Sequence, residues 1–457
     1  MKLVLLSGGS GKRLWPMSND VRSKQFLRVL DGDGGQRISM LQRVWGQLTR
    51  AGLADHTFVC ASEAQCETIH AQLGAGVSVI VEPARRDTFP AIALAGTYLM
   101  QDAPSDEIVV VAPVDQYVED GYFVALQGLP GALEASGADI ALLGVRPSHP
   151  SNQFGYIRVR QDDPGLESHW HTVRAFKEKP DAATAKTLIH EGALWNCGVF
   201  CFRLSYLREV LVAGDYPDRY QALVDGFSGM PKRSFDYEVV ERATRIVVSP
   251  YAGMWKDLGT WSALTAELDE TFVGPGVAAH CEGTHVINEL NIPVVAKGLR
   301  DLVIVASPDG ILVSDKAHSA DIKDAVSAVS GRPMFEESRW GSYRVLDYIK
   351  LDEGMEVLTK YVVLRPHANI SYQKHALREE VWTIVSGSGL VAVDGRVMQV
   401  IAGQVVRICP GQWHAIRAEG GLSLIEVQRG VQLIEEDITR LCVEWDEIME
   451  HVAVAGP

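Results

Sequence analysis

The sequence lacks the paired cysteines of an oxidised or zinc-binding protein and the long apolar runs of a membrane protein. Its seven cysteines are scattered, and no two have the two-residue spacing of a zinc knuckle or a redox motif. The N-terminus reaches Gly8 after four consecutive apolar residues, and no run of about 18 apolar residues follows. We therefore expect core thiols in a reducing compartment, a cytoplasmic location and no membrane association.

An excess of positive charge is also absent. The 43 Lys and Arg residues are outnumbered by 58 Asp and Glu, which gives a formal net charge of −15. This balance argues against a general nucleic-acid or anionic-membrane surface, because both reward clustered cations. It does not argue against a nucleotide ligand, which a few local cations can bind. The 457 residues, 47% of them apolar, predict two domains with sizeable cores.

Buried-strand and helix patterns alternate through the first half of the chain. The predicted strands are Leu3–Leu6, Thr57–Ala61, Val77–Val81, Ile108–Ala112 and Ile140–Gly144. The predicted helices between them are Ser39–Ala51, Glu63–Leu73, Pro90–Met100 and Tyr122–Ser136. This alternation predicts an α/β fold with a doubly wound, mostly parallel, Rossmann-like sheet, whose ligands lie beyond the carboxyl ends of the strands.

The second half of the chain has a different pattern. Short apolar runs separated by turn residues predict β structure after residue 272, followed by a helix at Ala320–Val329 and a hinge before Met334. Six further short strands then predict an all-β barrel of about 110 residues. They are Tyr361–Arg365, Val381–Val385, Leu390–Val393, Val397–Ile401, Val405–Ile408 and Leu422–Val427. We therefore predict an α/β domain at 1–272, a β-rich linker at 273–333 and a β-barrel domain at 334–457.

A glycine-rich loop directly follows the first predicted strand. Gly8, Gly9 and Gly11 allow the backbone N–H groups to form an anion nest, and Lys12 and Arg13 add positive charge for a triphosphate. A Walker A loop is excluded by the residues at positions 6 and 13, and a dinucleotide fingerprint by the residue at position 14. The alternative is a tight turn with solvated cations.

The loop is the first of an ordered set of motifs. The set runs through Gly8–Pro16, Ser23–Leu27, Glu82-Pro83, Arg86–Thr88, Pro90–Ala93, Pro113–Asp115, Phe154–Ile157, Glu178–Pro180, Trp195–Gly198, Asp236-Tyr237 and Trp255–Trp261. This set resembles the bacterial mannose-1-phosphate guanylyltransferases, a group of sugar-phosphate nucleotidyltransferases, and the match also extends through the β-rich second half. The resemblance therefore covers nearly the whole chain.

The resemblance implies attack of a sugar 1-phosphate on the α-phosphorus of a nucleoside triphosphate, GTP in the family, with release of pyrophosphate. By resemblance Asp115 and Asp257 hold Mg²⁺, while Arg13 and Lys24 screen the triphosphate. An aspartate at either position taken alone is more often a cap or a turn residue. The implied nucleotide-binding residues are Gly8, Gly9, Gly11, Lys12, Arg13, Lys24, Glu82 and Asp87.

The sugar-phosphate partner, a hexose 1-phosphate, has its own implied residues. By resemblance Glu178 and Asn196 bind sugar hydroxyls, Lys179 binds the phosphate, and Gly155 belongs to the same site. The chain departs from the family pattern at three places: Arg22-Ser23, Asp87 and Val114-Asp115-Gln116. Because Asp87 falls near the expected nucleobase pocket, another base or another sugar 1-phosphate stays open.

A second candidate centre lies in the predicted barrel. Gln373, His375, Glu380 and His414 resemble the ligands of a cupin metal site for Zn²⁺ or a similar divalent ion. In many relatives this domain is a phosphomannose isomerase, yet the additional histidines of that enzyme are replaced here at Ala376, Leu377 and Val381. Three hypotheses therefore stand: a nucleotidyltransferase, a bifunctional enzyme that also isomerises sugar phosphates, and a catalytically inactive sensor. A degenerate barrel that braces a homodimer is the alternative to an isomerase, and a structural histidine is the alternative to a metal ligand.

Overall fold

The computed structural model describes residues 1–9, 12–19, 21–104, 106–160, 169–327, 329, 331–352, 354–434 and 437–454. The chain divides into two compact units. The first contains Met1–Leu14, Ser23–Cys66 and Leu73–Asp269, and the second contains Trp15–Arg22, Glu67–Gln72 and Glu270–Pro457. Over the part of the chain that is described, no helix is long and apolar enough to cross a lipid bilayer.

The first unit is built on short, buried strands. They are β1 (Lys2–Leu6), β2 (Leu30–Asp31), β3 (Arg37–Ile38), β4 (Thr57–Ser62), β5 (Ser78–Glu82), β6 (Ile108–Pro113), β7 (Gln116–Val118), β8 (Ile140–Val145), β9 (Tyr156–Val159), β10 (His171–Lys177), β11 (Leu194–Arg203), β12 (Ile246–Tyr251) and β13 (Trp255–Asp257). Nine of them form one sheet in the order β5-β4-β1-β6-β11-β8-β12-β10-β9. The five strands predicted from apolar runs are confirmed as β1, β4, β5, β6 and β8.

The sheet is parallel in its first part and mixed beyond it. Strand β1 pairs in parallel with β4 and β6, β5 in parallel with β4, and β12 in parallel with β8. Strand β11 lies antiparallel between β6 and β8. The carboxyl ends of β1 and β6 therefore lie side by side, which places the loops after both strands at one edge of the sheet.

Helices separate these strands along the chain. They are α1 (Met40–Arg50), α2 (Glu63–Leu73), α3 (Thr88–Leu99), α4 (Gly121–Ser136), α5 (Ala182–His190), α6 (Leu204–Ala213), α7 (Tyr220–Asp225) and α8 (Trp261–Thr265). Helix α1 begins with a capping box, in which Ser39 Oγ accepts from Gln42 N and the Gln42 side chain accepts from Ser39 N. Helix α3 is buried on nearly all sides, so its apolar sequence packs into the main core with Phe200 and Val248.

The second unit begins with short β strands. They are β14 (Phe272–Val273), β15 (Gly276–Ala279), β16 (His285–Asn288), β17 (Val294–Lys297), β18 (Leu302–Ser307) and β19 (Gly310–Asp315), followed by α9 (Ile322–Val326). β14, β16 and β18 pair in parallel, as do β15 and β17. The β-rich prediction is correct, whereas the helix predicted at Ala320–Val329 is shorter in the structure.

The rest of the second unit is a cupin-like barrel. Its elements are β20 (Phe335–Ser338), β21 (Gly341–Lys350), β22 (Glu356–Leu364), β23 (Tyr372–Lys374), β24 (Arg378–Ser386), β25 (Ser388–Val393), β26 (Arg396–Ile401), β27 (Val405–Ile408), β28 (His414–Ala418), β29 (Leu422–Gly430), β30 (Thr439–Cys442) and α10 (Trp445–Val454). Two antiparallel sheets, β20-β21-β22-β29-β24-β27 and β26-β25-β28-β23-β30, enclose the core. Alternation of inward and outward residues puts Trp382, Ile416 and Leu424 inside.

Candidate functional site

The glycine loop leaves the end of β1, a central strand of the sheet. Gly9 has φ +100, which only glycine adopts without strain, and a Cβ added at Gly8 or Gly9 would meet no atom within 4 Å. Lys12 and Arg13 follow in a short 3-10 turn, and Arg13 Nη1 donates to Gln153 Oε1 at 3.1 Å. Gly11 lies outside the described residues. The loop thus offers backbone N–H groups and two cations at the sheet edge.

Three charged side chains meet next to this loop. Lys24 Nζ lies 2.7 Å from Asp115 Oδ2 and 3.1 Å from Asp257 Oδ1. Asp115 follows β6, and Asp257 ends β13, which pairs with β7 so that Asp257 lies opposite Gln116. The two aspartates are far apart in sequence, and this pairing brings them to one ammonium group.

The electrostatics of this triad are strongly coupled. Burial alone would lower the pKa of Lys24, but the charges of Asp115 and Asp257 outweigh burial and raise it. A Cβ at Gly259 would lie 3.0 Å from Asp257 Oδ1 and 3.3 Å from Lys24 Nζ, so a side chain there would press on both charged groups. Two carboxylates that converge on one cation are a donor set that suits Mg²⁺.

A second group of polar side chains surrounds Glu178. Its Oε1 binds Lys179 Nζ at 2.9 Å, and within the described part of the chain its buried Oε2 has no hydrogen-bond partner. A Cβ at Gly155 would lie only 2.4 Å from that Oε2, so any side chain before β9 would force Glu178 to move. Asn196 N donates to Gly155 O at 2.8 Å. The predicted sugar-phosphate residues are therefore brought together.

Asp236 belongs to this group, although the sequence motif gave it no role. Asn196 Nδ2 donates to Asp236 Oδ1 at 2.7 Å, and Asn196 Oδ1 accepts from Gly198 N at 3.1 Å. Burial, and then the charge of Glu178, raises the pKa of Asp236 to about 7. Asp236 thus fixes the orientation of the Asn196 amide.

Two further predicted nucleotide-binding residues, Glu82 and Asp87, occupy different environments. Glu82 ends β5 and is buried, and Cys60 Sγ lies 3.6 Å from its Oε1; burial raises the pKa of Glu82 to about 7. Asp87 is exposed, and its Oδ1 caps α3 by accepting from Thr88 N at 2.8 Å. Its φ of +69 with ψ of −177 is a region that is nearly exclusive to glycine. Such backbone strain in a non-glycine residue is typical of ligand-binding loops.

In the barrel, three predicted metal ligands lie together. The ligand atoms of His375, Glu380 and His414 are all within 4.8 Å of one another, and all three residues are buried. The Nδ1 atom of each histidine forms a hydrogen bond with a backbone carbonyl. The partner of His375 is Asp437 O at 2.5 Å, and the partner of His414 is Gln412 O at 3.0 Å. These hydrogen bonds turn the Nε2 atoms towards the centre.

The protonation and packing of the cluster also fit a metal. Burial is the main cause that lowers the pKa of His375 to about 4 and also lowers that of His414, so both rings are neutral at pH 7. His414 Nε2 is buried without a hydrogen-bond partner among the described residues. Gln373 lies beside the cluster with its Nε2 3.5 Å from His375 Nε2, while its Oε1 accepts from Ser371 Oγ.

Residues 2–271 match the family model described as nucleotidyl transferase, and this match spans more than half of the chain. The chain belongs to the nucleotidyl transferase family. Residues 334–442 match the model described as mannose-6-phosphate isomerase C-terminal. The nucleotidyltransferase fold and the cupin-like barrel predicted from sequence are thus confirmed.

Relatives of this nucleotidyltransferase match over nearly its full length. Alginate biosynthesis protein AlgA of Pseudomonas aeruginosa is 31% identical over 474 residues, covering 96% of this chain and 95% of the relative. Mannose-1-phosphate guanylyltransferase of Escherichia coli is 30% identical over 483 residues, covering 97% and 98%. The crystal structure described as mannose-1-phosphate geranyltransferase from Thermus thermophilus matches with a TM-score of 0.61 and 27% identity, covering 72% of this chain and 99% of that one.

Proposed function

We propose that this nucleotidyltransferase makes GDP-mannose from GTP and mannose 1-phosphate and releases pyrophosphate. The convergence of Lys24, Asp115 and Asp257 beside a glycine loop carries the proposal, because nucleotidyl transfer requires cations around a triphosphate and no covalent nucleophile. The full-length relative from Escherichia coli that is named mannose-1-phosphate guanylyltransferase supports the choice of substrates.

Each side chain has a defined task in the proposed reaction. A phosphate oxygen of mannose 1-phosphate attacks the α-phosphorus as the bond to pyrophosphate breaks. Asp115 and Asp257 would hold Mg²⁺, which when bound neutralises phosphate charge. Lys24 leaves the two carboxylates and turns its ammonium to the triphosphate, while Arg13 and Lys12 bind phosphate oxygens from the loop.

The sugar site positions the attacking group. We propose that the free Oε2 of Glu178 and the remaining N–H of Asn196 bind sugar hydroxyls, and that Lys179 pairs with the sugar phosphate. The nest at Gly8, Gly9 and Gly11, together with Glu82 and Asp87, would receive the nucleotide. A carboxylate at Glu82 or Asp87 accepts hydrogen bonds from the N1 and N2 donors of guanine.

Pyrophosphate release from a panel of nucleoside triphosphates and hexose 1-phosphates tests the proposal. We expect GTP with mannose 1-phosphate to give the highest kcat/KM and Asp257→Asn to lower it by about 100-fold or more. The exposed Asp102→Asn is the matched control and should behave as wild type. Absence of pyrophosphate release with every pair would overturn the assignment, and full activity of Asp257→Asn would overturn the metal role.

A second candidate function is favoured by the barrel interior. A cavity of about 170 Å³ next to the His375, Glu380 and His414 cluster is lined by Glu426 and Lys360. We propose that the barrel interconverts fructose 6-phosphate and mannose 6-phosphate. A divalent ion bound there would polarise the sugar oxygens, and Glu426, whose pKa burial and then the charge of Glu380 raise to about 7, suits proton transfer.

A coupled assay of this interconversion, run with Zn²⁺, Mn²⁺ or Co²⁺, tests the second candidate. We expect His414→Gln to abolish it and Arg407→Gln, on the outside of the same barrel, to retain it. A metal-loaded wild type without conversion would exclude isomerisation. We also propose a cytoplasmic location and a homodimer.

A further inference from the structure

The guanidinium of Arg378 lies inside the candidate metal cluster of the barrel. Its Nε donates to Glu380 Oε1 at 3.0 Å, its Nη1 to Ile434 O at 3.0 Å, and its Nη2 lies 3.2 Å from His375 Nε2. The side chain is 6% exposed. The chain thus places its own buried cation against two of the three metal donors.

While Arg378 is in place, the lone pairs of these donors that would bind a metal already accept hydrogen bonds. Because His375 Nδ1 donates to Asp437 O, its Nε2 carries the lone pair, and that lone pair faces Arg378. Glu380 accepts from Arg378 with one oxygen and from Trp382 Nε1 at 3.1 Å with the other. A divalent cation on the same atoms would therefore have to replace the guanidinium.

The displaced guanidinium would need a new anionic partner. A buried charge that loses its partner is strongly destabilising. Arg378 would keep its bond to Ile434 O, but a neutral carbonyl does not balance its charge. The cavity next to it is where a partner can bind.

The charge balance of the cavity favours an anion. Among its described lining residues are four basic side chains, Arg339, Lys360, Arg378 and Arg440, and four carboxylates. With all four carboxylates ionised these charges cancel, so a divalent cation on the cluster makes the cavity net positive. Arg378 can then bind a phosphate group with two N–H groups.

We propose that Arg378 is an exchangeable internal cation, which leaves the His375 and Glu380 donors when a divalent metal binds and then captures an anionic ligand of the phosphate-ester class. Metal and anion consequently bind the barrel with positive coupling. The inference rests on the proposed metal site, and it adds the residue that links the two ligands.

Titration of the full-length chain with Co²⁺, followed by its visible absorption, tests the exchange. His414→Gln, which lacks one donor, serves as the blank for binding elsewhere. In wild type we expect inorganic phosphate to raise Co²⁺ affinity about tenfold. In Arg378→Gln we expect Co²⁺ to bind about tenfold more tightly without phosphate, and phosphate to have no effect.

Two further variants separate the exchange from structural damage. Arg378→Lys keeps the buried charge and should retain a reduced phosphate effect even if the glutamine variant folds poorly. Arg407→Gln removes an exposed arginine of the same barrel and should match wild type. Equal Co²⁺ affinity in wild type and Arg378→Gln, or no phosphate effect in wild type, would overturn the exchange. No absorption beyond the blank in any variant would remove the metal site as well.

Discussion

At the scale of single residues, both candidate centres hold acidic side chains against a basic side chain of the same chain. Lys24 lies between Asp115 and Asp257, and Arg378 lies against Glu380. In each case the basic group balances charges that are costly to bury alone. The negative charge of each centre is therefore partly neutralised within the chain before its ligands arrive.

Gly155 shows how closely the sugar site is packed. We expect Gly155→Ala to push Glu178 away, since the new Cβ would lie 2.4 Å from its Oε2. Misplacement on this scale should lower kcat/KM for the sugar 1-phosphate by about 100-fold, with the KM for the nucleotide unchanged. Steady-state pyrophosphate release measures both.

Gly128→Ala is the matched control for this variant, because a Cβ at that position in α4 meets no atom within 4 Å. It should have wild-type kinetics. If Gly155→Ala impaired the use of the sugar 1-phosphate and of the nucleotide equally, the glycine would support the fold and not the sugar site.

At the scale of elements, strand β11 positions the sugar site through an irregularity in its pairing. Its register with β8 shifts between Asn196 and Phe200, and Gly198 within this bulge has φ +70. The bulge turns the Asn196 side chain towards Asp236 and lets Gly198 N bind Asn196 Oδ1.

Gly198→Ala should therefore damage both stability and sugar binding. A Cβ at φ +70 costs about 1 kcal/mol of unfolding free energy. The backbone N–H of residue 198 would also shift and lose its hydrogen bond to Asn196 Oδ1, so the KM for the sugar 1-phosphate should rise. Gly192→Ala is the matched control. Gly192 has a similar φ of +79, and a Cβ there would meet no atom within 4 Å. Urea unfolding should show the same loss of unfolding free energy for the two variants. The KM for the sugar 1-phosphate should change only for Gly198→Ala.

The elements also show what the sequence predicts well. Strands β1, β4 and β6 are largely continuous apolar runs, so the run of apolar residues is enough to identify them. Strands β23 and β30 are short and mixed in polarity, and long-range pairing alone defines them. The same limit applies to Arg378: it stands inside the predicted metal motif, yet only the fold shows that it faces His375.

At the scale of the whole molecule, three buried carboxyls make stability depend on pH. The pKa values of Glu82, Asp236 and Glu426 are each raised to about 7, mainly by burial. Between about pH 4 and pH 7 the folded chain binds more protons than the unfolded chain. Their stabilising contribution is therefore full below about pH 4 and is lost as the pH rises through about 7.

Amide substitution should remove part of this pH dependence. Between about pH 4.5 and pH 7.5 the free energy of unfolding should fall for both proteins. We expect the fall to be smaller in Asp236→Asn than in wild type, by on the order of 2 kcal/mol. Glu426→Gln should act likewise, and the exposed Glu209→Gln should follow wild type. Urea unfolding across this range provides the measurement, and parallel curves for wild type and both amide variants would contradict the prediction.

The place of β11 between β6 and β8 also governs the order in which the first unit can be completed during synthesis. Strands β6 and β8 are made first, but their facing edges stay unpaired until Leu194–Arg203 has left the ribosome. Unpaired edges attract other strands. The nascent chain therefore passes through an interval of about 50 residues, from the end of β8 to the start of β11, in which both edges can pair with strands of other chains.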